Sequence, residues 1–547
     1  MTNKEIAQRF SDLAKIMELH DENPFKIRSY NNAYLQLRKV STPLFEMSDA
    51  EISGIKGVGN AISSKIRELE ETGELATYNK YGDVTPTGIR EMLSIKGFGP
   101  KKVKVVWKEL GAESIGELLY ACNENRLVEL NGFGQKTQED LKNKLEYFLQ
   151  SRDKFHYASL EELAIEIRAY FKKQIPDANI DWVGEMRRRV PVVQKIELLV
   201  ATEKDIKPLI ESKLTIESQD ENSFSCRSEN NTPFKIYVCK PTEFGSKMFR
   251  YTGSREFIDT FLKKAGNVDF KNIPEEKSIF EKAGIDYIEP ELRDWTDLIG
   301  ATQPILVEES QIKGVIHSHT TYSDGINTLR EMAEQSRDLG FEYIGITEHS
   351  KSAFYANGLK EDRLLQQMEE IDVLNKEMAP FRIFKGIESD ILNDGSLDYE
   401  EDILKKFDFI IASVHSNLKM VKEKATNRLI TAIENPYTTI LGHPTSRLLL
   451  SREGYPIDHM KVIDACAENN VVIELNANPY RLDLDWTWIP YALEKGVMIS
   501  INPDAHSIGG IKDIHFGVLA ARKGGLTADQ CLNCLSAIEF AAFLGKK

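Results

Sequence analysis

The sequence is short of cysteine and has no long uninterrupted apolar run. Six cysteines are scattered over 547 residues, which indicates reduced thiols in a cytoplasmic protein rather than a disulfide framework. No run reaches the ~18 apolar residues of a membrane span, and the charged N-terminus predicts no signal peptide. The single CxxC, Cys531 and Cys534, has no second pair to complete a tetrahedral zinc site, so it is interpreted as structural.

The chain also has no excess of basic residues. The chain has 41% hydrophobic and 28% charged residues, which excludes a disordered chain, and its length predicts about three to five domains. The net charge is −15, but residues 1–150 carry 21 basic and 22 acidic side chains, so −14 falls on the remaining 397 residues. That acidic part must avoid nucleic acid or neutralise phosphate repulsion by another route, such as bound metal cations.

One turn pattern occurs three times in the helical N-terminal region. An apolar residue, any residue, Gly, an apolar residue and Gly occur in order within Ile55–Asn60, Ile95–Pro100 and Leu130–Gln135. Two glycines allow a tight turn and expose N–H groups at the start of the next helix, which favours a phosphate oxygen. The copies resemble helix-hairpin-helix motifs, which bind the DNA backbone. The predicted DNA contacts are Gly57, Gly59, Lys65, Gly97, Gly99, Lys101, Lys102, Gly132 and Gly134.

The pattern of apolar and polar residues changes twice after the third hairpin motif. Residues 155–300 combine a helix with short β-like runs, which predicts an α/β unit with a small antiparallel sheet. From residue 311 onward, seven apolar runs alternate with helical stretches. Strand–helix alternation over about 235 residues predicts a parallel sheet closed as a distorted seven-stranded (βα) barrel.

Six of these seven runs end in side chains that can bind a metal ion. They include six of the ten histidines, and the nine candidates are His317, His319, Asp324, His349, Glu388, His415, His443, Asp504 and His506. The carboxyl ends of barrel strands meet at one face, so these groups are expected to converge and to hold two or three divalent ions. Imidazole with carboxylate suits Zn²⁺, Mn²⁺ or Fe²⁺. Hydrolysis of a phosphoester is the favoured reaction, with an amidohydrolase as the alternative.

The ligand motifs resemble those of the polymerase-and-histidinol-phosphatase (PHP) domain. H-S-H-T-T-Y-S-D-G, T-E-H-S, G-I-E-S-D, S-V-H-S, G-H-P-T and D-A-H occur in the family's order. The resemblance implies three ions: one on His317, His319, Glu388 and Asp504, a second on Asp324, His349 and His506, and a third on Glu388, His415 and His443. Catalytic roles are assigned to Asp324, His349, Glu388 and Asp504. Arg447 and Arg481 are either phosphate ligands or surface arginines.

The front of the chain resembles bacterial family X DNA polymerases, which carry a C-terminal PHP domain. N-P-F-K-I-R-S-Y-N-N-A, F-R-Y-T-G-S and I-E-P-E-L-R carry the resemblance, together with the first hairpin. It implies a lyase-like helical domain at 1–75, a fingers-like domain at 76–155 and a palm and thumb-like domain at 156–300. A linker at 301–310 and a PHP domain at 311–547 follow. The implied activity is DNA repair on gapped DNA, 3′ ends or single strands.

The palm departs from that family where its polymerase chemistry would lie. The family's serine, which binds triphosphate, corresponds to Glu185, and its three metal-binding aspartates correspond to Lys195, Glu197 and Lys235. Lysine cannot bind Mg²⁺ and places a competing charge in the site. The palm is therefore predicted to be degenerate.

Lys65 matches the lysine that related repair polymerases use as a Schiff-base nucleophile on an abasic sugar. Lys26 and Tyr30 match supporting positions. A plain phosphate contact is the alternative role for this lysine.

The sequence therefore predicts a DNA-repair protein with a metal-dependent 3′–5′ exonuclease and an inactive polymerase module. The alternatives are a small-molecule phosphatase of the histidinol-phosphatase type, a non-catalytic DNA-end scaffold, and a polymerase with residual gap-filling activity.

Overall fold

The computed structural model describes residues 1–123, 127, 128, 130, 132–150, 154–450 and 453–545. The chain forms two compact units, Met1–Arg152 and Asp153–Lys547. Asn131, within the third hairpin motif, lies outside the described residues. Among the described helices, none is long and apolar enough to cross a membrane. The finer division into five segments stays a prediction.

The N-terminal unit is helical, as predicted. Helix formation starts from strong local signals: Thr2 and Glu5 form a capping box at the first helix, which then buries one apolar face. A π-helical turn, Val106–Leu110, follows the seventh helix. The helices are α1 Asn3–Leu19, α2 Pro24–Leu37, α3 Asp49–Ser53, α4 Asn60–Thr72, α5 Ala76–Gly82, α6 Thr87–Met92, α7 Pro100–Val105, α8 Ile115–Asn123 and α9 Gln135–Gln150.

The palm region begins the second unit and contains a five-stranded sheet in the order β2-β4-β7-β6-β5. Three of its pairings are antiparallel, as predicted, whereas β4 and β7 pair in parallel. The strands are β1 Phe155–His156, β2 Asn179–Val183, β3 Val192–Val193, β4 Ile196–Ala201, β5 Thr215–Asp220, β6 Ser223–Arg227 and β7 Pro233–Cys239. The helices are α10 Tyr157–Gln174, α11 Gly184–Arg187, α12 Lys207–Glu211, α13 Phe244–Thr252, α14 Arg255–Ala265 and α15 Lys277–Ala283.

All seven apolar runs of the C-terminal region form strands of one parallel sheet. Its order, β8 to β14, follows the chain without exception. The strands are β8 Gly314–Val315, β9 Tyr343–Ile346, β10 Arg382–Asp390, β11 Phe409–Ser413, β12 Ile440–Leu441, β13 Val472–Asn476 and β14 Ile499–Asn502. The helices are α16 Leu329–Asp338, α17 Glu361–Glu377, α18 Glu401–Leu404, α19 Lys422–Ile433, α20 His459–Asn469, α21 Ile489–Glu494, α22 Ile514–Lys523 and α23 Ala537–Leu544.

Contacts just beyond the two edge strands, β8 and β14, form a seam that nearly closes the sheet into the predicted barrel. Beyond the strand ends, the N–H of His319 donates to the Ala505 carbonyl at 2.8 Å, and the N–H of Ala505 donates to the His317 carbonyl at 3.2 Å. These bonds bring the loops after β8 and β14 together at the carboxyl ends of the strands. The fold thereby gathers the candidate ligands at one mouth.

The palm and the barrel are joined by a buried lysine. Lys523, on α22, is fully buried, and its Nζ donates to the carbonyl oxygens of Arg188 and Glu291, each at 3.3 Å. It also forms an ion pair with Asp294 and lies 4.3 Å from the centre of the Trp486 ring. These palm contacts compensate an ammonium group that is buried next to the barrel.

The predicted linker at 301–310 is packed against the barrel. Leu306 forms a bridge with Thr527, and the N–H of Val307 donates to the Leu526 carbonyl at 2.9 Å. Both side chains are buried. The connection therefore has a fixed course along this unit.

Candidate metal centre and nucleic-acid interface

The structure brings all nine predicted ligands to the carboxyl-terminal mouth of the barrel. Seven of them are buried or nearly so, whereas the side chains of Asp324 and His506 are 33% and 40% exposed. Eight of the ligands lie within four residues of the carboxyl end of a strand, and Asp324 lies farther along the loop that follows β8. The exposed pair marks the side from which a substrate can approach.

The first group contains His317, His319, Glu388 and Asp504. The Nε2 atom of His317 lies 3.5 Å from Glu388 Oε1 and 3.5 Å from Asp504 Oδ1. The Nε2 atom of His319 lies 3.1 Å from Asp504 Oδ1 and 3.7 Å from Glu388 Oε2. Two imidazoles and two carboxylates therefore point at one common space.

Asp324, His349 and His506 form the second group. Oδ1 of Asp324 lies 3.5 Å from His349 Nε2 and 3.3 Å from His506 Nε2. The His319 and His506 rings stack with centres 4.3 Å apart, and ligand atoms of His319 lie within 4.8 Å of those of this group. The first two groups are thus adjacent.

Glu388 connects the first group to a third one with His415 and His443. Its Oε1 atom lies 3.1 Å from His415 Nε2 and 2.9 Å from His443 Nε2. The Nδ1 atom of His349 lies 2.9 Å from Glu388 Oε2. One buried carboxylate therefore faces imidazoles of all three groups.

These residues fit divalent cations. Four ligands about 2.1 Å from an ion are about 3.4 Å apart in a tetrahedral arrangement, and the separations of 3.5 Å around His317 match that edge while being long for hydrogen bonds. Among the described residues, Nε2 of His317 is buried without a hydrogen-bond partner. Burial of such atoms is costly unless something binds them. Imidazole and carboxylate donors suit Zn²⁺, Mn²⁺ or Fe²⁺.

The electrostatics of the centre favour positive charge. Burial opposes protonation of His317, but Glu474 and two further carboxylates raise its pKa well above its ordinary value. Burial and the neighbouring imidazoles lower the pKa of His319 to about 3. Although burial opposes it, the surrounding imidazoles hold the pKa of Glu388 well below its ordinary value. A set of ionised carboxylates around neutral and charged imidazoles is the environment that a bound cation would stabilise.

Sequence reasoning missed the carboxylates that orient the ligands. Glu474, fully buried on β13, lies 2.7 Å from Nδ1 of His317 and accepts bonds from the Asn502 and Asn476 amides at 2.9 and 3.0 Å. Asp390 holds Nδ1 of His415 in the same way. Such bonds fix the tautomer and leave Nε2 for a metal ion. The sequence signal for Glu474 was a charged residue inside the apolar run V-V-I-E-L, because a carboxylate buried there requires a hydrogen-bonding partner.

Glu348 is a second buried carboxylate that the ligand pattern did not indicate. It accepts hydrogen bonds from the N–H of Thr320 at 3.2 Å and from the N–H of Ser323 at 3.2 Å. The Gln367 amide donates to it at 2.8 Å. Burial raises its pKa. Glu348 thus secures the loop that carries Asp324.

Replacing Glu474 with glutamine should weaken metal binding without removing a ligand. We expect about a 10–100-fold loss of affinity, because His317 loses its charged orienting partner. Metal titration followed by calorimetry measures the change, with the exposed Glu468→Gln on α20 as the matched control. An unchanged affinity in Glu474→Gln would contradict the orienting role.

The two candidate phosphate ligands differ in their surroundings. The Arg447 guanidinium donates to the Arg481 carbonyl at 3.0 Å, to the Leu482 carbonyl and to the Asp485 carboxylate. It therefore braces its own loop. Arg481 is partly exposed and forms no ion pair within the described part of the chain. Phosphate binding by either arginine stays a prediction, and the contacts favour Arg481.

The described residues of the three predicted hairpins share one turn geometry. Gly57, Gly97 and Gly132 have φ of 82°, 81° and 85°, a region that glycine adopts freely. In each turn the N–H of the following apolar residue donates to the carbonyl three residues earlier, at 2.9–3.0 Å. Gly59 and Gly99 then begin helices α4 and α7 as N-caps in extended conformation. The first turns of α4 and α7 thus present N–H groups to an anion, although Pro100 contributes none in α7.

The lysines near the hairpins have distinct surroundings. Lys101 is exposed, whereas the Lys102 ammonium lies 5.7 Å from the centre of the Phe133 ring. Lys65 donates to Thr77 at 2.8 Å and pairs with Glu68 at 3.3 Å. In the N-terminal unit, Lys26 pairs with Glu22, and Tyr30 is buried. Lyase chemistry at Lys65 stays a prediction.

The substituted palm positions lie on neighbouring strands and are held by internal contacts. Glu197 on β4 is directly opposite Lys235 on β7. Glu197 accepts a hydrogen bond from the Tyr237 hydroxyl at 2.9 Å and lies 3.6 Å from the Lys195 ammonium. Lys235 is 3.3 Å from the Asp220 carboxylate.

The fourth substituted palm position has a structural partner as well. The Glu185 carboxylate accepts a hydrogen bond from the Gln194 N–H at 2.8 Å. It therefore fastens α11 to the turn before β4.

Three family models match the chain. A "Helix-hairpin-helix domain" matches residues 1–75, a "SAM-like Helix-hairpin-helix tandem" matches residues 89–146, and a "PHP domain" matches residues 316–478. The first two contain the hairpins, and the third contains seven of the nine ligands. The N-terminal unit is thus a DNA-binding module, and the barrel is a PHP domain that binds divalent metals.

Curated relatives cover the barrel alone or the whole chain. A probable phosphatase of Thermoanaerobacter sp. (strain X514) is 30% identical over 41% of this chain and 91% of its own length. One of Acetivibrio thermocellus is 30% identical over 35% of this chain and 78% of its own. The "DNA polymerase/3′-5′ exonuclease PolX" of Bacillus subtilis (strain 168) is 33% identical over 100% of this chain and 99% of its own. With hairpin modules, a palm and a PHP phosphoesterase barrel in this order, the chain belongs to the PolX family.

Proposed function

We propose that this protein is a 3′–5′ exodeoxyribonuclease of DNA repair whose polymerase module no longer incorporates nucleotides. The observation that carries the proposal is the convergence of nine imidazoles and carboxylates at one barrel mouth, with separations that suit metal ligands. The three ligand groups that Glu388 adjoins support three ions per site. Mn²⁺ and Zn²⁺ suit the donors best, with Fe²⁺ as a further candidate.

The residues around the metal centre have different roles in the proposed reaction. Bound divalent ions would polarise the phosphoryl oxygens and lower the pKa of a water nucleophile. Asp324 and His506 are partly exposed, so the scissile phosphate would approach the centre from their side. Glu388 and Asp504, which are buried, supply negative charge that holds the cations. Glu474 keeps His317 oriented during the reaction.

The loops around the mouth favour an unpaired DNA end as the substrate. Ile326 follows Asp324 by two residues and is 75% exposed, and Phe354 follows His349 by five residues and is 85% exposed. Apolar and aromatic side chains at such a mouth can stack on unpaired bases. A small phosphatase needs neither this surface nor three hairpins. Both features favour DNA ends over the small-molecule alternative.

Contacts in the palm support the loss of polymerase activity. Arg187 forms a two-pronged ion pair with Glu276, with contacts of 2.6 and 2.8 Å, so its guanidinium is committed to the fold. Phe257 and Ile258, which follow the Y-T-G-S motif, are buried. Neither group is available to an incoming nucleotide in this arrangement. The substituted aspartate positions act in the same direction.

The direct test uses purified full-length protein with Mn²⁺. We expect stepwise shortening of 5′-labelled single-stranded and gapped DNA from the 3′ end, with EDTA abolishing it. Hydrolysis of a small phosphomonoester is measured beside it. Efficient phosphomonoester hydrolysis without DNA degradation would replace the nuclease by the phosphatase. Absence of both activities in metal-loaded protein would favour the scaffold.

DNA binding should weaken when a side chain is added at the hairpin caps. Gly59 and Gly99 have ordinary φ values, and a Cβ there would meet nothing within 4 Å. Gly59→Ala and Gly99→Ala should therefore fold normally, yet obstruct the phosphate and cost about 1.5 kcal/mol each, roughly tenfold in affinity. The loss should be the same for all sequences and binding should decrease steeply with salt.

Fluorescence anisotropy with labelled DNA measures that effect. Gly134→Ala serves as the matched variant, because its cap is equally open while the third hairpin has more acidic flanks. A smaller loss is expected there. Unchanged affinity in both Gly59→Ala and Gly99→Ala would make these hairpins simple helix connections.

A further inference from the structure

Cys531 and Cys534 form the one CxxC motif of the chain, and they lie apart from the metal centre. The N–H of Cys534 donates to the Cys531 carbonyl at 3.2 Å, so the motif folds into a single 3₁₀ turn. Such a turn keeps its first and fourth Cα atoms within about 7 Å. Two cysteines at that separation can form a disulfide without a large movement of the backbone.

The two thiols differ in access and in acidity. Cys531 is fully buried, whereas Cys534 is partly exposed, and the other four cysteines are buried. A hydrogen bond from Cys531 lowers the pKa of the Cys534 thiol, and the Lys313 ammonium lowers it further against the effect of burial. The accessible thiol is thus the one that ionises more readily, as a nucleophilic cysteine must.

The turn that carries these cysteines holds the barrel seam at the end opposite the metal centre. Between them, the Asn533 amide donates to the Gly314 carbonyl of β8 at 3.0 Å and to the Ile501 carbonyl of β14 at 2.8 Å. The side-chain oxygen of Asn533 accepts from the Ile501 N–H at 2.7 Å, and its main-chain carbonyl accepts from the Lys313 N–H at 2.7 Å. The side chain therefore connects the first strand to the last.

We propose that Cys531 and Cys534 are a reversible dithiol–disulfide couple that fastens this seam. The Cys534 thiolate attacks a low-molecular-weight disulfide, whose S–S bond breaks and releases one small thiolate. Cys531 then loses its proton and attacks the Cys534 sulfur of the mixed disulfide, which releases the second small thiolate. The two protein thiols lose two electrons and two protons, and the small disulfide is reduced to two thiols.

The test is incubation of the full-length protein with glutathione disulfide, then alkylation of the denatured protein and mass spectrometry of its peptides. We expect two of the six thiols to be protected, in one peptide that links Cys531 to Cys534, and dithiothreitol should restore both. The four remaining cysteines are internal controls. Burial raises the pKa of three of them, Cys122, Cys226 and Cys239, to about 11, so they should stay reduced.

Single substitutions separate the two steps. Cys531→Ser should accumulate a glutathione adduct at Cys534, because no second thiol resolves it, whereas Cys534→Ser should not react. Both variants should keep phosphoesterase activity and the circular dichroism of the parent. A wild-type protein that keeps all six thiols, or that stops at the Cys534 adduct, would overturn the proposal.

Discussion

Replacing Glu388 with glutamine should abolish phosphoester hydrolysis, with a loss of about a thousandfold or more, ~4 kcal/mol of transition-state stabilisation. This residue faces imidazoles of all three ligand groups. Its Oε1 atom lies 2.9–3.5 Å from the Nε2 atoms of His317, His415 and His443. The amide keeps the shape but removes the negative charge. Bound metal per chain, measured by inductively coupled plasma mass spectrometry, should decrease together with activity.

A glutamate of the same barrel provides the control for that substitution. Glu369 on α17 is exposed, so Glu369→Gln changes the net charge equally and should leave activity and metal content unchanged. Asp324→Ala should lose hydrolysis while the buried first group keeps its ligands. Full hydrolysis in both Glu388→Gln and Asp324→Ala would refute the metal centre.

No primer extension is expected on a gapped template with Mg²⁺ or Mn²⁺, even in the Glu388→Gln background, where trimming cannot mask synthesis. Two metal ions beside a triphosphate need three carboxylates close together, but the palm has Lys195, Glu197 and Lys235. That is a formal change from −3 to +1. At about 4 Å and an effective dielectric of 20, one misplaced unit charge disfavours a neighbouring cation by about 4 kcal/mol.

The structure supports this expectation, because Lys235 is held at its position by neighbouring side chains. Lys235 is mostly buried and pairs with Asp220, and Glu197 is bound by Tyr237. A family X polymerase with all three aspartates is the positive control for the assay. Template-dependent incorporation by Glu388→Gln protein would show that other carboxylates hold the ions, and would restore gap filling to this chain.

The convergence of the nine predicted ligands could be anticipated because strand order fixes where strand ends meet. Six of the seven apolar runs end in predicted ligands, and a parallel barrel leaves no choice about the face on which those residues gather. The hairpins were predictable for a similar reason, since two glycines at fixed spacing define the turn locally.

The groups that orient the ligands could not be assigned from the sequence in the same way. Glu474 reaches His317 from 157 residues away, and that pairing depends on how β8 and β13 face each other inside the barrel. The role of Arg447 was equally hidden, because its partners Asp485 and Leu482 lie on another loop. Local pattern names the residue types, whereas tertiary packing decides which of them bind a ligand and which brace a loop.

The buried ammonium of Lys523 has a consequence for the history of the chain. The carbonyl groups and the Asp294 carboxylate that compensate this charge all come from the palm. A change in the palm that removed Asp294 but left the ammonium buried would cost about 3–5 kcal/mol, a large share of the stability of a typical domain. The palm residues around Lys523 are therefore constrained by the barrel helix that they cover. A polymerase-derived domain can therefore persist in this lineage for the support it gives the phosphoesterase, whether or not it handles nucleotides.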